Sequence, residues 1–338
     1  VMNNQIDGES FSFERNPSAS GEATRAISNR TFNLIPYTGN NTSLSPEYNA
    51  SITRSELLAE GWNPQVAQMD DSLYVVVTTI DTTYSVYDMF KVYQSSDAGV
   101  SWTMIGGAYN SNWNLSYADI EVIDDRWAVN FSSNGLMEIY YNTFDDLSTQ
   151  FVMIPQPENY FIQWGSITSD EEYYSADMTW MYLTFMGYDT LTGDADIYYT
   201  HSEDLGETWS PQIALGAYGM GAYRPGIATA FTTPNPGTSV DYVATTWRDT
   251  LYNGHVTRIE VYDETVNSEI VLPSNSASDG WGHYAPTITS YFGNLFVTSW
   301  VWYGVDYIGY INPNISFTFS SDYGMNWGAE YAWYYFID

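Results

Sequence analysis

The sequence has no cysteine and almost no basic residues. The missing cysteine excludes disulfide bonds, thiolate metal sites and thiol catalysis. Lysine and arginine together number 9 against 41 aspartates and glutamates, which gives a formal net charge of −32 at pH 7. Nucleic-acid binding needs a basic surface, so this charge excludes it. Attraction to anionic lipid is disfavoured for the same reason.

Signals for membrane spans, helices and several catalytic motifs are also missing. No stretch of 18 apolar residues occurs, so no membrane insertion is expected. The best helix signal covers only 55–61. There is no glycine-rich phosphate loop and no Gly-x-Ser-x-Gly motif. The three histidines, His201, His255 and His283, lack the spacing of metal ligands.

What the sequence does contain is one eight-residue pattern that occurs three times. It reads Ser-x-Asp-x-Gly-x-x-Trp, and each copy follows a run of alternating apolar residues. Aspartate and serine side chains can hydrogen-bond nearby backbone groups, and glycine accepts a positive φ. The pattern predicts a tight turn with a structural aspartate and a tryptophan that starts the next strand. The fixed residues are Ser95, Asp97, Gly99, Trp102, Ser202, Asp204, Gly206, Trp209, Ser320, Asp322, Gly324 and Trp327.

This pattern resembles the Asp-box, or BNR repeat, of sialidases and related β-propellers. In that family the box lies at the turn between the third and fourth strands of a blade, away from the substrate-binding face. The resemblance implies an all-β propeller of four-stranded antiparallel blades. It says more about fold than about activity, because one fold hosts many functions.

The spacing of the aspartates extends the repeat. The intervals from Asp97 to Asp204 and from Asp204 to Asp322 are 107 and 118 residues. Both are about twice the ~40–50 residues of a four-stranded blade. Degenerate copies of the turn lie midway, at Asp145 and Asp263. The sequence therefore predicts five blades, with room for a sixth built from the N-terminal region.

Two regions are expected along the chain. Residues 61–338 carry the blade pattern and are predicted to form the propeller. Residues 1–60 are rich in Ser, Thr, Asn and Gly, with apolar islands at 11–13 and 32–36. We interpret them as an extended arm that contributes strands to ring closure. Residues 331–336 are the predicted C-terminal partner in that closure.

Several features favour a secreted or cell-surface protein. Lysine is nearly absent, tyrosine numbers 31, and the chain starts at Val1 without a leader, as a processed protein would. The acidic, neutral-polar composition suits high salt or an acidic habitat, and the sequence leaves both open. A secreted chain would expose its Asn-x-Ser/Thr sequons to glycosylation. These are at Asn29, Asn40, Asn41, Asn49, Asn114, Asn130 and Asn314.

The resemblance to sialidases implies a specific catalytic set. That family holds a substrate carboxylate with three arginines, the first in an Arg-Ile-Pro motif, and uses a tyrosine nucleophile paired with a glutamate and an aspartate acid/base. Here residues 32–36 read Phe-Asn-Leu-Ile-Pro, so the first arginine is missing. Arg224 and Arg248 are candidates for the other two, and the alternative is that each pairs with a carboxylate at the rim.

One loop is a candidate calcium site. Residues 189–196 place Asp189, Asp194 and Asp196 between two predicted strands, and oxygen-rich loops suit a hard cation. The spacing departs from the EF-hand pattern. No other cofactor is indicated.

Three functions are consistent with the sequence. The favoured one is an extracellular non-catalytic propeller with a structural or recognition role at the cell surface. It would be a surface-layer or filament subunit, or bind glycans or proteins, and its partners would be glycans or other protein subunits, including copies of itself. The alternative is a sialidase-like exo-glycosidase with a divergent active site. The third is a scaffold stabilised by a divalent metal.

Overall fold

The chain divides into two compact units, Val1–Glu60 and Gly61–Asp338. In the first unit, β1 (Asn4–Ile6) pairs with β2 (Glu9–Phe11) as an antiparallel hairpin. The computed structural model describes these residues: 4–6, 9–11, 61–69, 72–81, 87–97, 99–110, 115–123, 126–143, 149–156, 159–169, 180–215, 221–230, 242–261, 264–273, 282–291, 294–302 and 313–333.

The second unit contains five four-stranded antiparallel sheets, the five blades of a β-propeller. The described part of the chain contains no helix. This confirms the predicted all-β fold. The strands are β3 (Trp62–Met69), β4 (Ser72–Asp81), β5 (Tyr87–Ser95) and β6 (Thr103–Asn110) in blade one; β7 (Leu115–Ile123), β8 (Arg126–Ser133), β9 (Leu136–Thr143) and β10 (Thr149–Met153) in blade two; β11 (Tyr160–Ser169), β12 (Met181–Asp189), β13 (Ala195–Ser202) and β14 (Ile213–Ala214) in blade three; β15 (Tyr223–Ala230), β16 (Tyr242–Arg248), β17 (Gly254–Glu260) and β18 (Val266–Leu272) in blade four; and β19 (Gly282–Tyr291), β20 (Asn294–Trp302), β21 (Pro313–Ser320) and β22 (Tyr331–Trp333) in blade five.

Each blade is a meander whose first strand is innermost. Consecutive strands pair in sequence order, and each first strand lies beside the first strand of the next blade, from β3 through β7, β11 and β15 to β19. Because strand side chains alternate between two faces, each blade can pack on both neighbours. The three eight-residue turns lie between the third and fourth strands of blades one, three and five, as predicted.

The hydrophobic core lies between the blades. Tyr74, Val76, Phe90 and Val92 of blade one pack against blade two, whose contribution includes Phe131. These side chains are at most 2% exposed, and burial of each contributes about 1.5–3 kcal/mol. Similar apolar clusters join blade two to blade three and blade four to blade five. The blade series is therefore held together by face-to-face packing of sheets.

Tyr331–Trp333 is β22 and pairs with β21 in its own blade. Closure of the ring by 331–336 with an N-terminal strand stays a prediction, because most of residues 1–60 lie outside the described residues. One detail of the sequence prediction is corrected. The turn tryptophans do not start the fourth strands: β6 begins at Thr103, after Trp102. Asp145, Asp263, the 55–60 part of the helix signal and the 32–36 segment lie outside the described residues.

We name the two ends of the blades by their loops. The turn end carries the eight-residue turns, and the mouth end is where the first strands begin and the second strands end. At the turn end, Arg126 at the start of β8 donates to the Leu205 carbonyl oxygen in the turn of blade three, at 3.1 Å. Glu207 of the same turn lies 3.8 Å from the Arg126 guanidinium. Neighbouring blades are thus tied at this end.

Candidate functional site

Every first strand has a register break in the half nearest the mouth. Four of the breaks contain a non-glycine residue with positive φ: Asn63 at 48°, Trp164 at 42°, Arg224 at 55° and Ala285 at 47°. Bulky residues rarely adopt this conformation, and it costs on the order of 1–3 kcal/mol. Strained residues cluster at functional sites. Because this strain recurs at the same end of four blades, the mouth is the candidate functional site.

Side chains from three blades interact at the mouth. The Arg224 guanidinium lies 5.3 Å from the centroid of the Trp164 ring, which comes from the neighbouring blade. Tyr117 of blade two is within electrostatic reach of both Asp119 and Arg224. Burial, with a smaller contribution from Asp119, raises the pKa of Tyr117, although Arg224 lowers it. Tyr117 is therefore a neutral phenol at physiological pH, within electrostatic reach of the Arg224 cation.

Asp119 is a buried carboxyl that joins blades two and three. One oxygen accepts hydrogen bonds from the Ser166 hydroxyl at 2.9 Å and the Ile167 N–H at 3.2 Å. The other accepts the Ile120 N–H at 2.9 Å. Burial outweighs these hydrogen bonds and raises the pKa of Asp119 to about 6. Both carboxyl oxygens are thus already engaged in holding the two inner strands together.

The second candidate arginine, Arg248, is enclosed by aromatic rings. It is 3% exposed, and its guanidinium lies 5.0 Å from the ring centroid of Tyr223, 4.8 Å from that of Tyr252 and 5.7 Å from that of Tyr284. Arg248 pairs across the strands with Tyr223, the residue before Arg224. The structure therefore brings both arginines to the mouth end of blade four, but it gives their guanidinium groups different aromatic partners.

The loop after Arg248 is held by a buried polar cluster. Asp249 accepts backbone hydrogen bonds from Leu251 at 2.8 Å and Asn253 at 2.9 Å, and lies 2.9 Å from His255 Nε2. Burial raises the pKa of Asp249, but these donors, led by His255, lower it by more. The His255 ring stacks on Trp247 at 4.0 Å. This histidine is part of a structural cluster.

The other two histidines are also packed. His201 stacks on Trp180 at 5.2 Å, and its Nδ1 lies 3.2 Å from the Ser210 hydroxyl. Burial lowers the pKa of His283 to about 4, so it is neutral over most of the pH range. Within the described ranges, no three His, Cys, Asp or Glu side chains come together to hold a metal.

At the turn end, the three eight-residue turns share one set of hydrogen bonds. In each, the serine hydroxyl donates to the aspartate Oδ1 and accepts the glycine N–H, both at 2.8 Å. The aspartate Oδ2 accepts a side-chain hydrogen bond at 2.6 Å from the residue four positions on. That residue is Ser101, Thr208 or Asn326, directly before the tryptophan. The sequence pattern leaves this position unspecified, although all three copies have a hydrogen-bond donor there.

These hydrogen bonds lower the pKa of all three aspartates. Donors led by Ser101 hold the pKa of Asp97 at about 2. For Asp204, burial raises the pKa but the donors of its turn lower it by more. For Asp322, the Asn326 side chain is the largest cause. The carboxylates are therefore committed to holding the turns.

In the loop predicted to bind calcium, the structure shows hydrogen bonds to the Asp189 carboxylate. Asp189 Oδ1 accepts the Leu191 N–H at 2.7 Å, and Asp189 Oδ2 accepts the Thr192 hydroxyl at 3.1 Å, so this carboxylate caps its own turn. Calcium binding at Asp189, Asp194 and Asp196 stays a prediction.

One predicted sequon is corrected. Asn130 lies in β8 and is 0% exposed, which makes it inaccessible to glycosylation in the folded chain. The side chain of Asn314 lies outside the part of the chain that the structure describes. The other five sequons lie outside the described residues.

Solved structures similar to this chain are sialidase and arabinanase β-propellers. A sialidase from Streptococcus pneumoniae is 14% identical over 67% of this chain and 35% of its own, with a TM-score of 0.44. The Bacillus subtilis arabinanase is 13% identical over 77% of this chain and 94% of its own, with a TM-score of 0.41. An α-L-arabinofuranosidase from Fusarium graminearum is 13% identical over 78% and 89%, with a TM-score of 0.48.

This likeness describes the fold alone. The chain spans about a third of the length of the pneumococcal sialidase. No protein-family model matches the chain, and no curated protein matches it. The described residues contain no helix long and apolar enough to cross a membrane.

Proposed function

We propose that this chain is an extracellular, non-catalytic propeller that recognises an acidic glycan at its mouth. The observation that carries the proposal is the contact of the Arg224 guanidinium with the Trp164 ring, within electrostatic reach of Tyr117. Aromatic faces stack on sugar rings, and a planar guanidinium fits a carboxylate. On a chain with net charge −32, an anionic ligand also needs a local cation to approach.

Binding without turnover is favoured by the state of two other groups. Arg248 is 3% exposed and packed among three tyrosine rings, so its guanidinium is not presented to a ligand. Asp119 uses both carboxyl oxygens to accept hydrogen bonds from β11 and its own strand. A catalytic acid must reach the atom to which it gives its proton.

The test compares acidic oligosaccharides with their carboxyl-reduced counterparts by calorimetry. We expect the acidic forms to bind and Arg224→Gln to weaken binding about 10- to 100-fold, because a hydrogen bond to a charged group contributes about 1.5–3 kcal/mol. The matched control is Arg258→Gln. Arg258 lies 4.6 Å from the Tyr242 ring, an equivalent contact in β17 away from the mouth. Equal binding of reduced sugars, or equal loss in the control, would contradict the proposal.

The second candidate is a sialidase-like exo-glycosidase with a divergent site. Its supporting observation is that Arg224 and Arg248 lie at the same end of blade four. In addition, Tyr117 is within electrostatic reach of both Arg224 and Asp119, and burial raises the pKa of Asp119 to about 6. An acid with a pKa near the working pH suits proton transfer. Release of a fluorescent group from sialosides or other glycosides, abolished by Arg224→Ala, would establish this function instead.

A further inference from the structure

Asp119 of β7 joins blade two to the strand of blade three that carries Trp164. Its Oδ2 accepts hydrogen bonds from the Ser166 hydroxyl at 2.9 Å and the Ile167 N–H at 3.2 Å. These donors lie two and three residues after Trp164 on β11. Because β11 is held at this point, the Asp119 carboxyl helps to fix the ring that contacts the Arg224 guanidinium.

The same carboxyl is also linked to the mouth along its own strand. Tyr117 lies two residues before Asp119 on β7, and side chains two residues apart on a strand point to the same side of the sheet. Tyr117 is within electrostatic reach of both Asp119 and Arg224. Asp119 is therefore connected to the contact between Arg224 and Trp164 by two routes, through β11 and through Tyr117.

The strands packed against β7 bring few charges to Asp119 within the described ranges. These strands are β3, β4, β8 and β11. The residue paired with Asp119 on β8 is Asn130, which is uncharged. Ala118 and Ile120 point to the other side of β7 and pack against blade one, so β3 and β4 lie on the side away from Asp119.

The remaining titratable neighbours come from β7 itself, β11 and β15. On β7, Glu121 shares the side of Asp119. On β11 the one titratable side chain is Tyr160, at the first position of the strand. From β15, Arg224 is reached through Tyr117. Asp119 therefore combines a hydrogen-bonded link to the segment that carries Trp164 with an electrostatic link to the arginine of the mouth.

We propose that Asp119 is a positioning residue of the mouth and that the charge on its carboxyl sets the affinity for an acidic glycan. This inference rests on the function proposed above. The carboxyl can accept the β11 hydrogen bonds in both charge states, because a protonated carboxyl keeps acceptor capacity. Deprotonation therefore leaves the segment in place and adds a negative charge, which opposes an anionic ligand at Arg224.

Burial separates the ionisation of Asp119 from that of the ligand. It raises the pKa of Asp119 to about 6, whereas an exposed carboxyl group has a pKa of about 4. Just below pH 6 the ligand is still anionic while Asp119 is neutral, and above pH 6 both are charged. We expect affinity to fall about 2- to 10-fold as pH rises from about 5 to about 7.5, the effect of one charge at ~10 Å in a partly solvated site.

The test measures the dissociation constant by calorimetry across this pH range. The probes are trigalacturonic acid and sialyllactose, and the protein is the full chain. In the parent chain we expect the loss of affinity to have its midpoint near pH 6. In Asp119→Asn we expect no change with pH and an affinity equal to that of the parent chain at low pH, because the amide does not titrate.

Two further variants separate the charge from the fold. Ser166→Ala removes a hydroxyl that lowers the pKa of Asp119, so the midpoint should move to higher pH. Glu138→Gln is the matched control. Burial also raises the pKa of Glu138, but this residue lies on β9, the third strand of blade two, and its variant should match the parent chain. A residue that only supported the fold would change the affinity without a change in the midpoint.

Each other outcome overturns the inference. Affinity that is independent of pH in the parent chain, but still weakened by Arg224→Gln, overturns this inference alone and leaves the proposed function standing. A pH dependence that survives in Asp119→Asn, or is lost in Glu138→Gln, assigns the titration to another group. Loss of all binding in Asp119→Asn would mean that the ligand needs the carboxylate, which contradicts a charge that opposes it. Absence of binding by either probe at any pH contradicts the proposed function, and the inference falls with it.

Discussion

The faces that meet between blades and the two faces at the ends of the blade series have similar composition but different exposure. Val76 is 0% exposed, whereas Val66 in the adjacent strand, on the other side of the same sheet, is 64% exposed. Both belong to alternating apolar runs. The alternation indicates that each residue lies in a strand, but it does not show which side of the sheet is covered by an adjacent blade. The difference teaches that burial here is decided by the adjacent blade.

The largest expected effect comes from truncating one phenylalanine in each kind of face. Phe131 is 0% exposed between blades one and two, and Phe319 of β21 in blade five is 38% exposed. We expect Phe131→Ala to lower the free energy of unfolding by about 3–5 kcal/mol and Phe319→Ala by less than about 1 kcal/mol. Urea unfolding at low salt and low protein concentration measures both. Equal losses would erase the distinction between the two kinds of face.

The next effect concerns a covered interface that contains a carboxyl. Burial raises the pKa of Asp119 to about 6, above the ordinary value of 3.8, so the folded state holds the proton more tightly than the unfolded state. Stability from this group is therefore greatest below about pH 4 and declines as pH rises to about 6, by on the order of 2–3 kcal/mol.

Asp119→Asn isolates this pH dependence. The amide oxygen can still accept the Ser166 hydrogen bond, but the side chain does not titrate. Subtracting the variant's unfolding free energy from that of the parent chain between pH 4 and 7 should leave the predicted decline. A difference that stays constant across this range would mean that Asp119 is not the titrating group.

A smaller effect is expected at the turn end. Asp204→Ala removes the acceptor of three hydrogen bonds at 2.6–2.8 Å in the turn of blade three, and we expect a loss of about 1–2 kcal/mol. Because the pKa of Asp204 is lowered on folding, its stabilisation is present above about pH 4 and disappears in more acidic solution. Thermal unfolding at neutral and acidic pH measures it. The neighbouring exposed Glu203→Ala serves as control and should have little effect.

The turns were the most predictable part of the molecule. Their residue types act within eight positions, so Asp97, Asp204 and Asp322 could be assigned to turns without knowledge of their neighbours. The same spacing predicted the number of blades. Pro225 and Pro286 helped to locate the first strands, but not the positive φ of Arg224 and Ala285, because a residue before proline normally prefers an extended conformation.

The mouth was only partly predictable. Arg224 and Arg248 stand out in a chain with few basic residues, and both lie at the mouth end of blade four. Trp164, Tyr117 and Asp119 gave no local signal, because Tyr117 and Asp119 lie in blade two and Trp164 in blade three, and no spacing connects them to the arginines of blade four. The enclosure of Arg248 by three tyrosines also joins separate segments of the chain.

By itself, the sequence determined the repeat, the hydrogen-bonded turns and the acidic charge, since each depends on composition or on residues close together in the chain. Only the tertiary structure decided which apolar faces are covered, which arginine is enclosed and why the Asp119 carboxyl holds its proton up to about pH 6. The physical reason is that burial, and the pKa shift it causes, arises where neighbouring blades meet. Those contacts join residues that lie a full repeat apart in the chain.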